Sequence, residues 1–141
     1  MTTSVSVLLD QVHVLVVDED AHTRDCIERI VTEQGGITTA VSSAGRAMDF
    51  ATVIRPTVVI SDLRLGGGKS GVWLLDQLRS GPLSTVPVIA TSRVAADEPL
   101  ASTLPFSAFL TKPVDPRALC ALILGVVDRC GIASRPQTSL H

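Results

Sequence analysis

Basic residues are few and dispersed: twelve Lys and Arg stand against fourteen Asp and Glu, for a formal net charge of −2. A nucleic-acid or anionic-membrane surface needs a concentrated excess of Lys and Arg, so neither is expected as a direct partner. Cysteine is scarce as well. Cys26, Cys120 and Cys130 form an odd count with no C-x-x-C pair, which disfavours a disulfide framework or a structural zinc site. Free thiols fit a reducing compartment. No apolar run reaches the ~18 residues of a membrane span, and the start MTTSVSVLLDQ has no basic stretch to open a secretory signal. His13, His22 and His141 lack metal-ligand spacing and are expected to be structural or exposed. There is no repeat, no low-complexity block and no linker to a second domain. The expectation is one soluble, cytoplasmic domain without a membrane partner.

Within these limits, hydrophobic residues make up 45% of 141 positions, enough for a sizeable core. VHVLVV (12–17) is a β-branched run that stops at the acidic cluster Asp18-Glu19-Asp20. From 21 to 34, Cys26, Ile27, Ile30 and Val31 recur at helical spacing until Gly35-Gly36. ITTAV (37–41) reads as a strand. Ser42 or Ser43 then caps a helix that turns Ala44, Ala47, Met48 and Ala51 inward and ends before Pro56. TVVIS (57–61) is a third strand, again running into a carboxylate, Asp62. A Gly-rich loop (66–71) leads to a helix with Val72, Leu74, Leu75 and Leu78 apolar and Trp73 on its polar side. VPVIATS (86–92) is a fourth strand. Asp97 is expected to cap a short helix that Pro105 ends. FSAFLT (106–111) is the fifth strand, and Asp115-Pro116 opens a last helix that buries Leu119, Leu122, Ile123, Val126 and Val127 and stops at Gly131.

Strands alternating with helices predict an α/β, doubly wound parallel sheet covered on both faces. In such sheets chemistry gathers at the carboxyl ends of the strands. Asp18-Glu19, Asp62, Thr91-Ser92 and Lys112 all fall there. Three carboxylates brought together repel one another unless a cation joins them. Hard oxygen donors without His or Cys select Mg²⁺ or Mn²⁺. With a lysine and a hydroxyl beside them, the set suits phosphoryl transfer to a carboxylate nucleophile.

VLVVDED, VVISDLRL, VPVIATS and FLTKPVDP, in that order, resemble the four signature segments of response-regulator receiver domains. Four ordered motifs over residues 12–128 are far more specific than any one of them. The resemblance implies a flavodoxin-like five-stranded sheet in the order 2-1-3-4-5. It divides the chain into an N-terminal extension (1–11), a receiver domain (12–131) and a polar tail (132–141). It also implies that Asp62 is the phosphoacceptor and that Asp18 and Glu19 are metal-binding acids, joined by Asp62 and the backbone carbonyl of Arg64. Lys112, ahead of a cis proline, becomes the phosphate-pairing lysine. Ser92, five residues after Pro87, becomes the switch hydroxyl, with Thr91 the alternative. Phe109 takes the place of the rotameric aromatic. The implied partners are a histidine kinase or histidine phosphotransfer protein and a downstream protein reached by contact, since no output domain is read. Ala118, Ala121 and Leu124 on the last helix permit a homodimer.

Some positions depart from the pattern. Glu19 replaces the commoner Asp, and Gly66 stands where the family often has proline. Arg93 follows the hydroxyl where a small residue is usual, and is expected to narrow access to Asp62 or to contact the phosphoryl group. The stretch 93–108 is short. Two other functions therefore compete. One is a pseudo-receiver that binds partners without phosphorylation. The other is a haloacid-dehalogenase-like phosphatase using Asp18, whose D-x-D-x-[TV] motif Asp18-Glu19-Asp20-Ala21-His22 nearly fits, although His22 is wrong and Asp62 is followed by Leu63 rather than a second acid. GGGKSG is not a phosphate-binding loop, because Leu63 occupies the position of its first glycine.

Overall fold

The computed structural model describes residues 8–129. The first seven residues, Cys130, the helix stop at Gly131, the tail 132–141 and His141 lie outside the described residues. Five parallel strands, β1 (His13–Val17), β2 (Ile37–Val41), β3 (Val58–Asp62), β4 (Val88–Ser92) and β5 (Ala108–Thr111), form one sheet in the order β2-β1-β3-β4-β5. The connecting helices are α1 (Ala21–Glu33), α2 (Ala44–Ile54), α3 (Gly71–Arg79), α4 (Glu98–Ser102) and α5 (Pro116–Arg129). A 3₁₀ turn, Ala95–Asp97, leads into α4. This is the expected doubly wound order. No helix among the described residues is long and apolar enough to cross a membrane.

The interior strands read as unbroken apolar runs because both of their faces are covered. Pleating sends alternate side chains to opposite faces. Val14 and Val16 of β1 join Ile27, Ile30, Leu119 and Ile123 under α1 and α5. Leu15 and Val17 join Ala47, Ala51, Leu74 and Leu78 under α2 and α3. A third, small cluster of Leu63, Ala90 and Ala101 lies beneath α4, with Phe106 and Phe109 packed against it.

Caps fix where the helices begin. Asp20 accepts from the N–H groups of His22 and Thr23 and starts α1. Ser43, the second of the two serines, caps α2, and Ser70 caps α3. Asp115 accepts from the Ala118 N–H at 2.9 Å, so Asp115-Pro116 opens α5 as expected.

Two expectations fail. Asp97 makes no side-chain cap for the short helix, because its carboxylate is turned inward to other donors. Trp73 is not on a bare polar face: it is half-buried against the α2–α3 core, with the Lys69 ammonium 4.8 Å from its ring centroid. The helix α4 is only five residues long and buries one side chain, Ala101. Burying one methyl contributes less than about 1 kcal/mol, so α4 is held weakly by its own packing.

Candidate functional site

Parallel register delivers four side chains to one sheet edge. Asp18 follows β1, Asp62 ends β3, Ser92 ends β4 and Lys112 follows β5. Val17 pairs with Ser61, Asp62 with Thr91 and Ser92 with Thr111, so the strand ends are level. Between them opens a cavity of about 320 Å³ lined by Asp18, Glu19, Asp20, Asp62, Arg64, Ser92, Arg93, Val94 and Lys112.

At its floor the Lys112 ammonium lies 2.6 Å from Asp18 Oδ2 and 3.1 Å from Asp62 Oδ2. A buried cation is tolerated only when paired, and here one cation answers two carboxylates that would otherwise repel. The remaining carboxylate oxygens are held by backbone: the Asp20 N–H donates to Asp18 Oδ1 at 2.9 Å, and the Arg64 N–H to Asp62 Oδ1 at 3.1 Å. Asp18 is the more enclosed of the two, with its side chain 3% exposed against 13% for Asp62. The Lys112-Pro113 peptide bond is cis. Arg24 donates to the carbonyls of Asp18 and Glu19 and so fixes the loop after β1.

Glu19 departs from the expected triad of converging acids. Its Oε2 accepts from the Gly66 N–H across the cavity rim. Among the described residues, no group of three acidic, His or Cys side chains stands ready to hold a metal ion. The donors nonetheless fit a hard divalent cation, because Asp18, Asp62, Glu19 and the Arg64 backbone offer oxygen alone. One of the two carboxylate oxygens of Glu19 is committed to Gly66. Residue 66 has to be small for this arrangement: a Cβ there would lie 2.4 Å from Glu19 Oε2. Proline would also lack the N–H that Glu19 uses. Gly71 is under a second constraint, since a Cβ would meet the Asp62 carbonyl oxygen at 2.3 Å. The first turn of α3 is thereby seated against the backbone of Asp62.

Of the two hydroxyl candidates, Ser92 lines the cavity, whereas Thr91 is a buried strand residue on the opposite face of β4. The Ser92 hydroxyl does not reach for Asp62. It donates to Asp97 Oδ2 at 2.6 Å and accepts from the Val94 N–H at 3.0 Å. Asp97 also receives two hydrogen bonds from Arg64, Nε to Oδ2 at 2.9 Å and Nη2 to Oδ1 at 2.6 Å. These Arg64 bonds first, and the Ser92 bond second, hold the Asp97 carboxyl below the usual carboxylate range despite its burial. Arg93 reaches over the mouth to Asp20 Oδ2 at 3.1 Å. The Asp20 carboxyl lies below its ordinary range, chiefly through the Thr23 hydroxyl bond, with Arg93 a smaller cause. Phe109 rests half-buried in the cluster under α4.

Sequence reasoning assembled Asp18, Asp62, Ser92 and Lys112 but missed Asp97, Asp20 and Gly71. Asp97 carries no signal of its own. Glu98 beside it is equally acidic, and only the path of the chain turns one inward and leaves the other exposed.

Residues 14–124 match the family model described as the response regulator receiver domain. An uncharacterised 14.6 kDa protein of Leptolyngbya boryana is 33% identical over 118 residues, covering 82% of this chain and 89% of that protein. The transcriptional regulatory protein CseB of Streptomyces avermitilis is 31% identical over 93% of this chain, which spans 55% of the regulator's length. Among solved structures, a receiver domain protein from Clostridium thermocellum superposes with a TM-score of 0.77 at 21% identity, covering 86% of this chain and 98% of the other. NtrX from Brucella abortus gives 0.79 at 23% identity, covering 89% of this chain and 29% of NtrX. At these identities the structures speak for the fold. Together with the family match and the sequence relatives, they show that the chain belongs to the response regulator receiver domain family.

Proposed function

We propose that the chain is a phosphorylation switch in which Asp62 accepts a phosphoryl group from the phosphohistidine of a histidine kinase or phosphotransfer protein. The observation that carries the reading is the position of Lys112, whose ammonium sits between Asp18 and Asp62 at the floor of a cavity open to solvent. An Asp62 carboxylate oxygen attacks phosphorus, the P–N bond to the imidazole breaks, and the imidazole leaves with the bond's electron pair. Lys112 answers the charge that arrives on the phosphoryl oxygens. Ser92, at the end of the neighbouring strand, is the hydroxyl within the same cavity that supplies a further donor. A Mg²⁺ or Mn²⁺ ion, when bound, supplies positive charge to the same oxygens, and Asp18, Glu19, Asp62 and the Arg64 carbonyl are the groups to hold it. The greater enclosure of Asp18, and its closer approach to Lys112, favour Asp62 over Asp18 as nucleophile and so count against the phosphatase reading. The modified state is passed on by protein contact.

Incubation with acetyl phosphate and Mg²⁺ is expected to add one phosphoryl mass to the wild-type chain and none to Asp62→Asn. Equal modification of both removes Asp62 from the role. A second reading, a pseudo-receiver regulated by partner binding alone, draws on the commitment of Ser92 to Asp97 and of Arg93 to Asp20. It predicts a folded protein that stays unmodified under the same conditions.

A further inference from the structure

Asp97 is buried, at 6% exposure, within a stretch whose neighbours Arg93–Ala96 and Glu98–Leu100 are all exposed. Nothing in helix capping explains this, since its carboxylate caps neither the 3₁₀ turn nor α4. What the carboxylate does is collect three donors: Nε and Nη2 along one edge of the Arg64 guanidinium, and the Ser92 hydroxyl. A serine hydroxyl has one proton to donate. Here that proton points to Asp97, so Ser92 has none for a group on Asp62.

We infer that Asp97 is a positioning residue that acts through Ser92, holding its hydroxyl and the Arg64 side chain in a latch that a phosphoryl group on Asp62 must open. The inference rests on the reading of Asp62 as acceptor. A carboxylate and a phosphoryl group compete for the same donor, and the phosphoryl group carries more charge and more acceptor oxygens. When Ser92 turns to it, Asp97 keeps only Arg64, whose side chain is 66% exposed. Among the described residues of the segment from Ala95 to Ser102, Ala101 is the other buried side chain. Opening the latch therefore loosens α4, next to the exposed side chains of Val94 and Leu100. The free energy that holds the latch shut is subtracted from the binding of any phosphoryl mimic.

The test is a beryllofluoride titration of the full chain with Mg²⁺, followed through the backbone amide signals of residues 62 and 92–102. Asp97→Ala is expected to saturate at about tenfold lower beryllofluoride than wild type, as loss of a charge-assisted hydrogen bond implies. Asp97→Asn keeps an acceptor for Ser92 but not the charge, and should fall between them. If the alanine variant does not fold, the isosteric asparagine variant carries the comparison. Because the latch works through Ser92, the gain from Asp97→Ala should vanish in a Ser92→Ala background, which a merely structural effect would not do. Saturation of Asp97→Ala at the same or higher concentration, or a gain that persists without Ser92, overturns the latch and leaves Asp62 as acceptor. Spectra of wild type, Asp97→Ala and Asp62→Asn that are all unmoved overturn the acceptor reading itself, and the latch with it.

Discussion

At the scale of single residues, the site is an exercise in pairing charge. Among the described residues, Lys112 is the cation that both Asp18 and Asp62 meet at the cavity floor. Removing it leaves two enclosed carboxylates facing each other, so Lys112→Ala should lose about 1–3 kcal/mol of stability in urea unfolding. Asp62→Asn keeps the Lys112–Asp18 pair and should stay within about 1 kcal/mol of wild type. Equal losses for the two variants would contradict this division of roles. Asp97 adds a pH dependence whose sign is fixed. Its carboxyl is depressed on folding by Arg64 first and Ser92 second. Such a group stabilises the fold above its unfolded pKa and loses that contribution as pH falls through the depressed value. The stability gap between wild type and Asp97→Asn should therefore hold from neutral pH down to about pH 5 and shrink as the pH falls below the ordinary aspartate value of about 4. Thermal melts that show a constant gap would contradict it.

At the scale of elements, two glycines set how loops meet the acids. Gly66 lets the loop after β3 take up Glu19, and Gly71 lets α3 press against the backbone of Asp62. Gly66→Ala places a methyl against the Glu19 carboxylate and should drive it off the residue 66 N–H. Glu19 then becomes available to a cation, and calorimetric titration should find Mg²⁺ bound several-fold more tightly, by a factor of about 3–10. Unchanged or weaker affinity would mean that the Glu19–Gly66 bond does not compete with the metal. The elements themselves were largely legible in the sequence, because β1, β3 and β4 are covered on both faces and show as apolar runs. Their ends were less so. The fourth and fifth strands begin two residues later than the apolar runs, where Val86 and Phe106 pack into the core from outside the sheet. Trp73 was misplaced because helical periodicity does not register a neighbour such as Lys69 folding over the ring. Asp97 has the local signature of a cap, an acid before a proline-containing turn; its inward path depends on Arg64, 33 residues away in sequence.

For the whole molecule, strand order does the assembling. Placing β1, β3, β4 and β5 side by side in parallel brings residues as distant as Asp18 and Lys112 into contact. The alternation of elements points to a doubly wound parallel sheet, and the order itself is what the resemblance carried by the four ordered motifs implies. What a sequence does not display is which partners the site residues take in the folded chain. Glu19 is engaged with Gly66, Ser92 with Asp97 and Arg93 with Asp20, each by a hydrogen bond that spans separate elements or loops. Acceptance of a phosphoryl group by Asp62 is open to a direct test by borohydride trapping. After exposure to acetyl phosphate and Mg²⁺, reduction converts an aspartyl phosphate to homoserine, and peptide mass mapping locates the converted residue. Conversion at position 62 is the predicted result. Conversion at position 18, or none in a folded protein, would contradict it.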